Sequence, residues 1–231
     1  MNKSIIRCLT VGWIGTMGLV NLSQAVLADE PETTPQITVY VYNHVQLEPN
    51  TLQEVKEVAT RILRNAGVEA VMLDVALSSE NALTGGVRRQ VQHAALYAHI
   101  TTRQAANPFG LPKYALGVAP GESELNRNVV YIFEDIAERL SKEPVKGGPK
   151  GMVWRNAEKA QILGNGMAHE MGHVLLGSNS HAPIGIMRAK WEPKDLFDIS
   201  LSSLLFTADE AEQIRAEVAR RNQERVTAQA Q

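Results

Sequence analysis

His169, Glu170 and His173 stand at positions i, i+1 and i+4 of one stretch of the chain. Residues four apart share a face of an α-helix, so the two imidazoles can present nitrogens to a single metal ion. The carboxylate directly after the first histidine then sits beside that ion but angled off it, where it can take a proton from a water instead of ligating. The chemistry this predicts is hydrolytic. Gly177 is a natural end for the helix, because glycine accepts the left-handed conformation at little cost and lets the chain double back. His181, four residues on, can return as third ligand. Three protein ligands with the fourth position left to water describe a catalytic zinc site and not a closed structural one.

The His-Glu-x-x-His of 169–173 resembles the helix motif of the zincins, and with Gly177, His181 and the Gly185-Ile186-Met187 turn after it, residues 160–191 resemble the metzincins. That resemblance implies a zinc metallopeptidase acting on a peptide or protein substrate, with Met187 in a tight turn forming a floor under the metal. Two features depart from the usual pattern. The chain reads H-E-x-x-H-x-x-x-G-x-x-x-H, one residue longer on each side of the glycine, and no tyrosine follows the turn, Tyr131 being the last in the chain. Other readings stay open at this stage. Glu192, Asp195 or Asp198 is the rival third ligand, as in zincins of the glutamate-ligand type. A metal-binding domain that recognises a partner without cleaving it, a zinc hydrolase of non-peptide amides or esters, and a helix whose histidines are merely solvated all fit the same five residues.

The elements that must hold these residues follow from periodicity. A helix over 156–176 carries the motif, with Leu163, Met167, Met171 and Val174 as one apolar stripe and the histidines turned well away from it. Gly164 and Gly166 inside it each cost about 1 kcal/mol relative to alanine. Gly166 projects onto the histidine side, where its missing side chain makes room at the site or lets another segment pack close. Upstream, a β-branched strand at 37–42, an amphipathic helix at 49–66 and a strand at 68–77 form a right-handed parallel unit. A third strand at 93–102 places His93 and His99 on one face, which reads as a solvated sheet face in preference to ligands, and His44 after the first strand is set aside as a ligand because the helix supplies two histidines and a nearby third. Short strands follow at 114–119 and 129–133, and the resemblance makes 114–119 the edge strand against which extended substrate backbone pairs. A helix at 134–141, a linker at 142–151, an irregular or weakly helical stretch at 188–203 and a capping box at Thr207 and Glu210 lead to a final helix through about Asn222 and a frayed tail at 223–231. The expected fold class is α/β (α+β), zincin-like: a mixed twisted sheet with a backing helix, an active-site helix and a C-terminal helix, in a single catalytic domain over 37–222.

Composition sets the surroundings. Lys3 and Arg7 precede an apolar run from Cys8 to Val20, and Val26-Leu27-Ala28 is a small-residue pattern at which a signal peptidase would cut before Asp29. The run of 13 residues is short of the roughly 20 that a membrane span needs. The expectation is an exported protein, periplasmic or secreted, with residues 1–28 removed and 29–36 a disordered lead-in. Removal takes the sole cysteine and two basic residues from the 231-residue chain, leaving 203 residues with a formal net charge of −4. Stability must then come from a core without disulfides, and the charge gives no footprint for nucleic acid.

Overall fold

A computed structural model describes residues 34–77, 95–105, 111, 114–121, 127–142, 157–177 and 180–229. The expected signal segment, His93 and the linker beyond residue 142 lie outside them. The chain opens with β1 (Gln36–Asn43), α1 (Pro49–Asn65) and β2 (Glu69–Asp74). Strand β1 alternates buried Ile37, Val39 and Val41 with Thr38, Tyr40 and Tyr42, the period-2 pattern of a sheet covered on one face. Helix α1 answers with buried Val55, Val58, Ala59, Ile62 and Leu63, and Pro49 begins it where a missing N–H costs nothing. Each such aliphatic side chain taken from water contributes roughly 1.5–3 kcal/mol.

Strands β3 (Ala95–Thr101), β4 (Gly117–Val118) and β5 (Val129–Phe133) complete a five-stranded sheet of order β2-β1-β3-β5-β4. Pairing is parallel throughout except at the edge, where β4 runs antiparallel to β5 with Gly117 opposite Ile132. The expected strand over 114–119 is therefore shorter than its pattern predicts, because only two residues find ladder partners. Four further helices follow β5 among the described residues: α2 (Glu134–Lys142), α3 (Lys159–Leu176), α4 (Pro193–Ser200) and α5 (Ala208–Gln229). The fold is thus the mixed α/β arrangement expected, with α1 as the backing helix and α5 closing the structure. None of the described helices is long and apolar enough to cross a membrane.

Two expectations are corrected. Helix α3 does not bury one side and expose the other, since every residue from Ile162 to Gly172 is buried. It runs through the middle of the molecule, and glycines mark where neighbours touch it. A Cβ at Gly164 would lie 2.6 Å from Val58 Cβ of α1, and one at Gly166 would lie 2.8 Å from Leu116 Cδ2 on the segment entering β4. Gly166 is thus a packing contact and does not open room at the histidines. The stretch after Met187 is helical in part, one of its two expected forms: Pro193 and a capping box between Glu192 and Asp195 start α4. Finally, α5 continues past Asn222 to Gln229, supported by ion pairs of Arg220 with Glu217 and Glu224 and by the lack of any glycine or proline to stop it.

Candidate metal centre

Helix α3 presents His169 and His173 one turn apart, and the chain leaves it at Gly177, whose φ of 104° and N–H bond to the His173 carbonyl end the helix and turn the backbone out. Arg221, buried on α5, holds this end of α3 by donating to the Val174 carbonyl at 3.1 Å and to Asn128 Oδ1 at 3.1 Å. The returning chain brings His181 over the same face. The ligand-capable atoms of His169, His173 and His181 all lie within 4.8 Å of one another, and they form the only such group of three or more among the described residues.

Each of the first two imidazoles is held by its far nitrogen. The Nδ1 of His169 lies 2.7 Å from the Ile186 carbonyl. A carbonyl only accepts, so Nδ1 carries the proton and Nε2 is a bare lone pair, 3.1 Å from His173 Nε2. The Nδ1 of His173 is served by Ser180 Oγ at 3.1 Å. Burial lowers both imidazoles to a pKa of about 4; the Ile186 carbonyl opposes the shift at His169, and neighbouring histidines add to it at His173. Both are therefore neutral at neutral pH, the form that ligates.

The donor set suits zinc. Metal–nitrogen bonds of about 2.0–2.1 Å place two imidazole nitrogens about 3.3 Å apart on a tetrahedral ion, close to the spacing found here. Three nitrogen donors leave one position for water, and the second hydrogen bonds on His169 and His173 are the orienting contacts that metal-ligating histidines ordinarily carry.

Glu170, next to His169 on α3, packs its side chain against β4 at the sheet edge. A Cβ at Gly117 of β4 would stand 2.6 Å from its Cγ and 2.7 Å from its Oε1. Only glycine leaves space for the carboxyl there. Burial raises Glu170 to about 8, so it holds its proton at neutral pH until positive charge enters its surroundings. Met187 is fully buried, and its Sδ would lie 2.5 Å from a Cβ at Gly172, so it underlies α3 between the two histidine turns. The loop carrying it is closed by hydrogen bonds from Ala182 N–H to the Met187 carbonyl and from Ile186 N–H to the Leu205 carbonyl, both 2.9 Å, with Gly185 at φ 75°. At the rim, exposed Tyr114 takes the Lys190 ammonium 5.9 Å from its ring centroid, joining the segment before β4 to the loop after Met187.

The rival carboxylates are engaged elsewhere. Glu192 and Asp195 pair with Arg188, Asp195 also accepting the Glu192 N–H at 2.7 Å, and Asp198 pairs with Lys194. Two partners of the site have no motif to announce them. Ser180 reaches His173 from seven residues away, and the indole N–H of Trp191 donates to the same Ile186 carbonyl as His169, at 3.1 Å.

The remaining described histidines stand apart. On the sheet face opposite the helices, His99 lies between Tyr42 and Tyr131, with ring centroids 4.4 and 5.1 Å away, and its Nδ1 is 2.8 Å from His44 Nε2. Burial, with a smaller contribution from His44, lowers His99 to about 4.

No protein-family model and no curated protein matches this chain. Among solved structures it is similar to archaemetzincin from Methanopyrus kandleri, at 12% identity and a TM-score of 0.45, over 80% of this chain and 97% of that one. The chemistry of the centre rests on its own side chains.

Proposed function

We propose that this protein is a zinc-dependent hydrolase of peptide bonds, with His169, His173 and His181 holding the ion and Glu170 acting as general base. The observation that carries this reading is the convergence of three imidazoles near a carboxyl buried against β4, the edge strand of the sheet among the described residues. When bound, zinc supplies Lewis-acid activation of a water and stabilises negative charge on the substrate oxygen. The chain's own groups do the rest. His169 and His173 offer lone pairs without first releasing protons, since both stay neutral down to about pH 4. Glu170, once ionised, accepts the proton of the attacking water and passes it to the leaving amine. Met187 fills the space below the helix turn that bears the ligands. Strand β4, paired with β5 on one side, offers its other side to an extended peptide a few atoms from Glu170.

The test compares wild type with Glu170→Gln at matched zinc content, on a peptide library together with simple amides and esters. Peptide hydrolysis falls by about 10²–10⁴-fold in the variant. Equal rates would remove Glu170 as the base, and turnover of esters alone would move the activity off peptides. Export is part of the same proposal, on the charged and apolar pattern of residues 1–28; the N-terminus of protein recovered outside the cytoplasm should be Asp29.

A further inference from the structure

We propose that Trp191 is a positioning residue for the metal ligand His169, acting through the carbonyl of Ile186. The inference rests on the reading of His169 as a ligand. A carbonyl oxygen has two lone pairs, and here both are used: His169 Nδ1–H approaches at 2.7 Å and Trp191 Nε1–H at 3.1 Å. Ile186 is fully buried and its own N–H is bound to the Leu205 carbonyl, so the backbone at this residue is held on both sides. A loop carbonyl with one imidazole donor can swing with that donor; a second donor from another direction fixes where the first must point. The indole also stands perpendicular to His169, at 89° with centroids 5.8 Å apart, which walls the imidazole against turning over and exchanging its two nitrogens.

A plain packing role for Trp191 would be satisfied by any nearby acceptor. The acceptor it has is the one that sets the tautomer of His169. Its own backbone is well placed to hold that geometry, because Trp191 immediately precedes the capped start of α4, and the Arg188 to Asp195 ion pair ties the loop to that helix. Partners of this kind, one bond removed from a ligand, typically change metal affinity by about 10–100-fold when lost.

Trp191→Phe keeps a ring and removes the donor, whereas Trp191→Ala removes both. Three readouts separate positioning from packing. Zinc affinity, measured with Zn²⁺ alone against a chromophoric chelator, falls about tenfold in Trp191→Phe. The imidazole ¹⁵N shifts of His169 in the metal-free protein report one tautomer, protonated at Nδ1, in wild type and a mixture in the variant. The metal-free thermal midpoint of Trp191→Phe stays near wild type while that of Trp191→Ala falls. Unchanged zinc affinity and an unchanged tautomer in Trp191→Phe overturn the inference. So does an Nε2-protonated His169 in wild type, a result that needs no folded variant. Wild type that binds no zinc but keeps the tautomer difference would instead strike the proposed function and leave the positioning role standing.

Discussion

Two groups of histidines lie on opposite sides of one sheet, each with nitrogens in close approach, and they are built for different things. In the pair His44 and His99 the rings are nearly coplanar, at 10°, with nitrogens 2.8 Å and centroids 5.1 Å apart, so the nitrogens lie along the line between the rings and aim at each other. That is a hydrogen bond sharing one proton. At His169 and His173 the nitrogens are farther apart, 3.1 Å, yet the centroids are closer, 4.8 Å, and the rings cross at 80°. The nitrogens there lie off the line between the rings, and a ligand atom of His181 comes within 4.8 Å of both. Proximity alone does not mark a ligand set; the direction of the lone pairs does.

The sharpest way to break this contrast is to remove one imidazole from each group. His173→Ala should lower zinc affinity by more than about hundredfold, beyond the usual cost of losing an outer partner. His99→Gln and His44→Ala should leave zinc stoichiometry, read by atomic emission on purified protein, at the wild-type value. Zinc lost from either of the latter would put the two groups in one site.

Acid stability sharpens it next. His169, His173 and His99 have folded pKa values of about 4 against an ordinary 6.5, so between those values the unfolded chain binds more protons and metal-free stability falls as pH drops from about 6.5 to 4. Glu170 has the opposite sign, since its folded value of about 8 lies above 4.5, and it costs stability as pH rises through that window. Differences between variants separate the contributions. His99→Gln should flatten the acid decline of the thermal midpoint while keeping the full rise on adding zinc, whereas His169→Gln should flatten the decline and abolish the rise. The smallest effect belongs to Ser180→Ala, which removes the Ser180 Oγ contact from His173 Nδ1 and should weaken zinc by about tenfold with no change at the His99 pair, measured by chelator competition.

How much of this could be read in advance depends on the range of the interaction involved. The i, i+4 spacing of His169 and His173 is a local property of any helix, and α1 with its flanking strands declares itself through periods of 3.6 and 2. Strand β4 does not, because two residues become a strand only through β5. The burial of α3 on every side was also beyond a projection, which shows where the apolar stripe lies but not how many neighbours arrive. The two readings of Gly166 could not be separated for that reason: its contact, Leu116, is 50 positions away in the chain. Ser180 and Trp191 could not be assigned because their bonds depend on the path of the loop. The start of α4 is legible more sharply than a weakly helical stretch, since Glu192-Pro193 with an acid at Asp195 is a helix-opening pattern. The engagement of the rival acids by Arg188 and Lys194 belongs to that same local turn.

Because α3 is gripped by Val58, Leu116 and Met187 at glycines that admit nothing larger, it can neither slide nor rotate by a fraction of a turn. Adaptation to new substrates would therefore have to proceed by exchanging exposed residues such as Tyr114 before β4 and Ile184 and Lys190 in the loop after His181, and the frame beneath them would tolerate the trade.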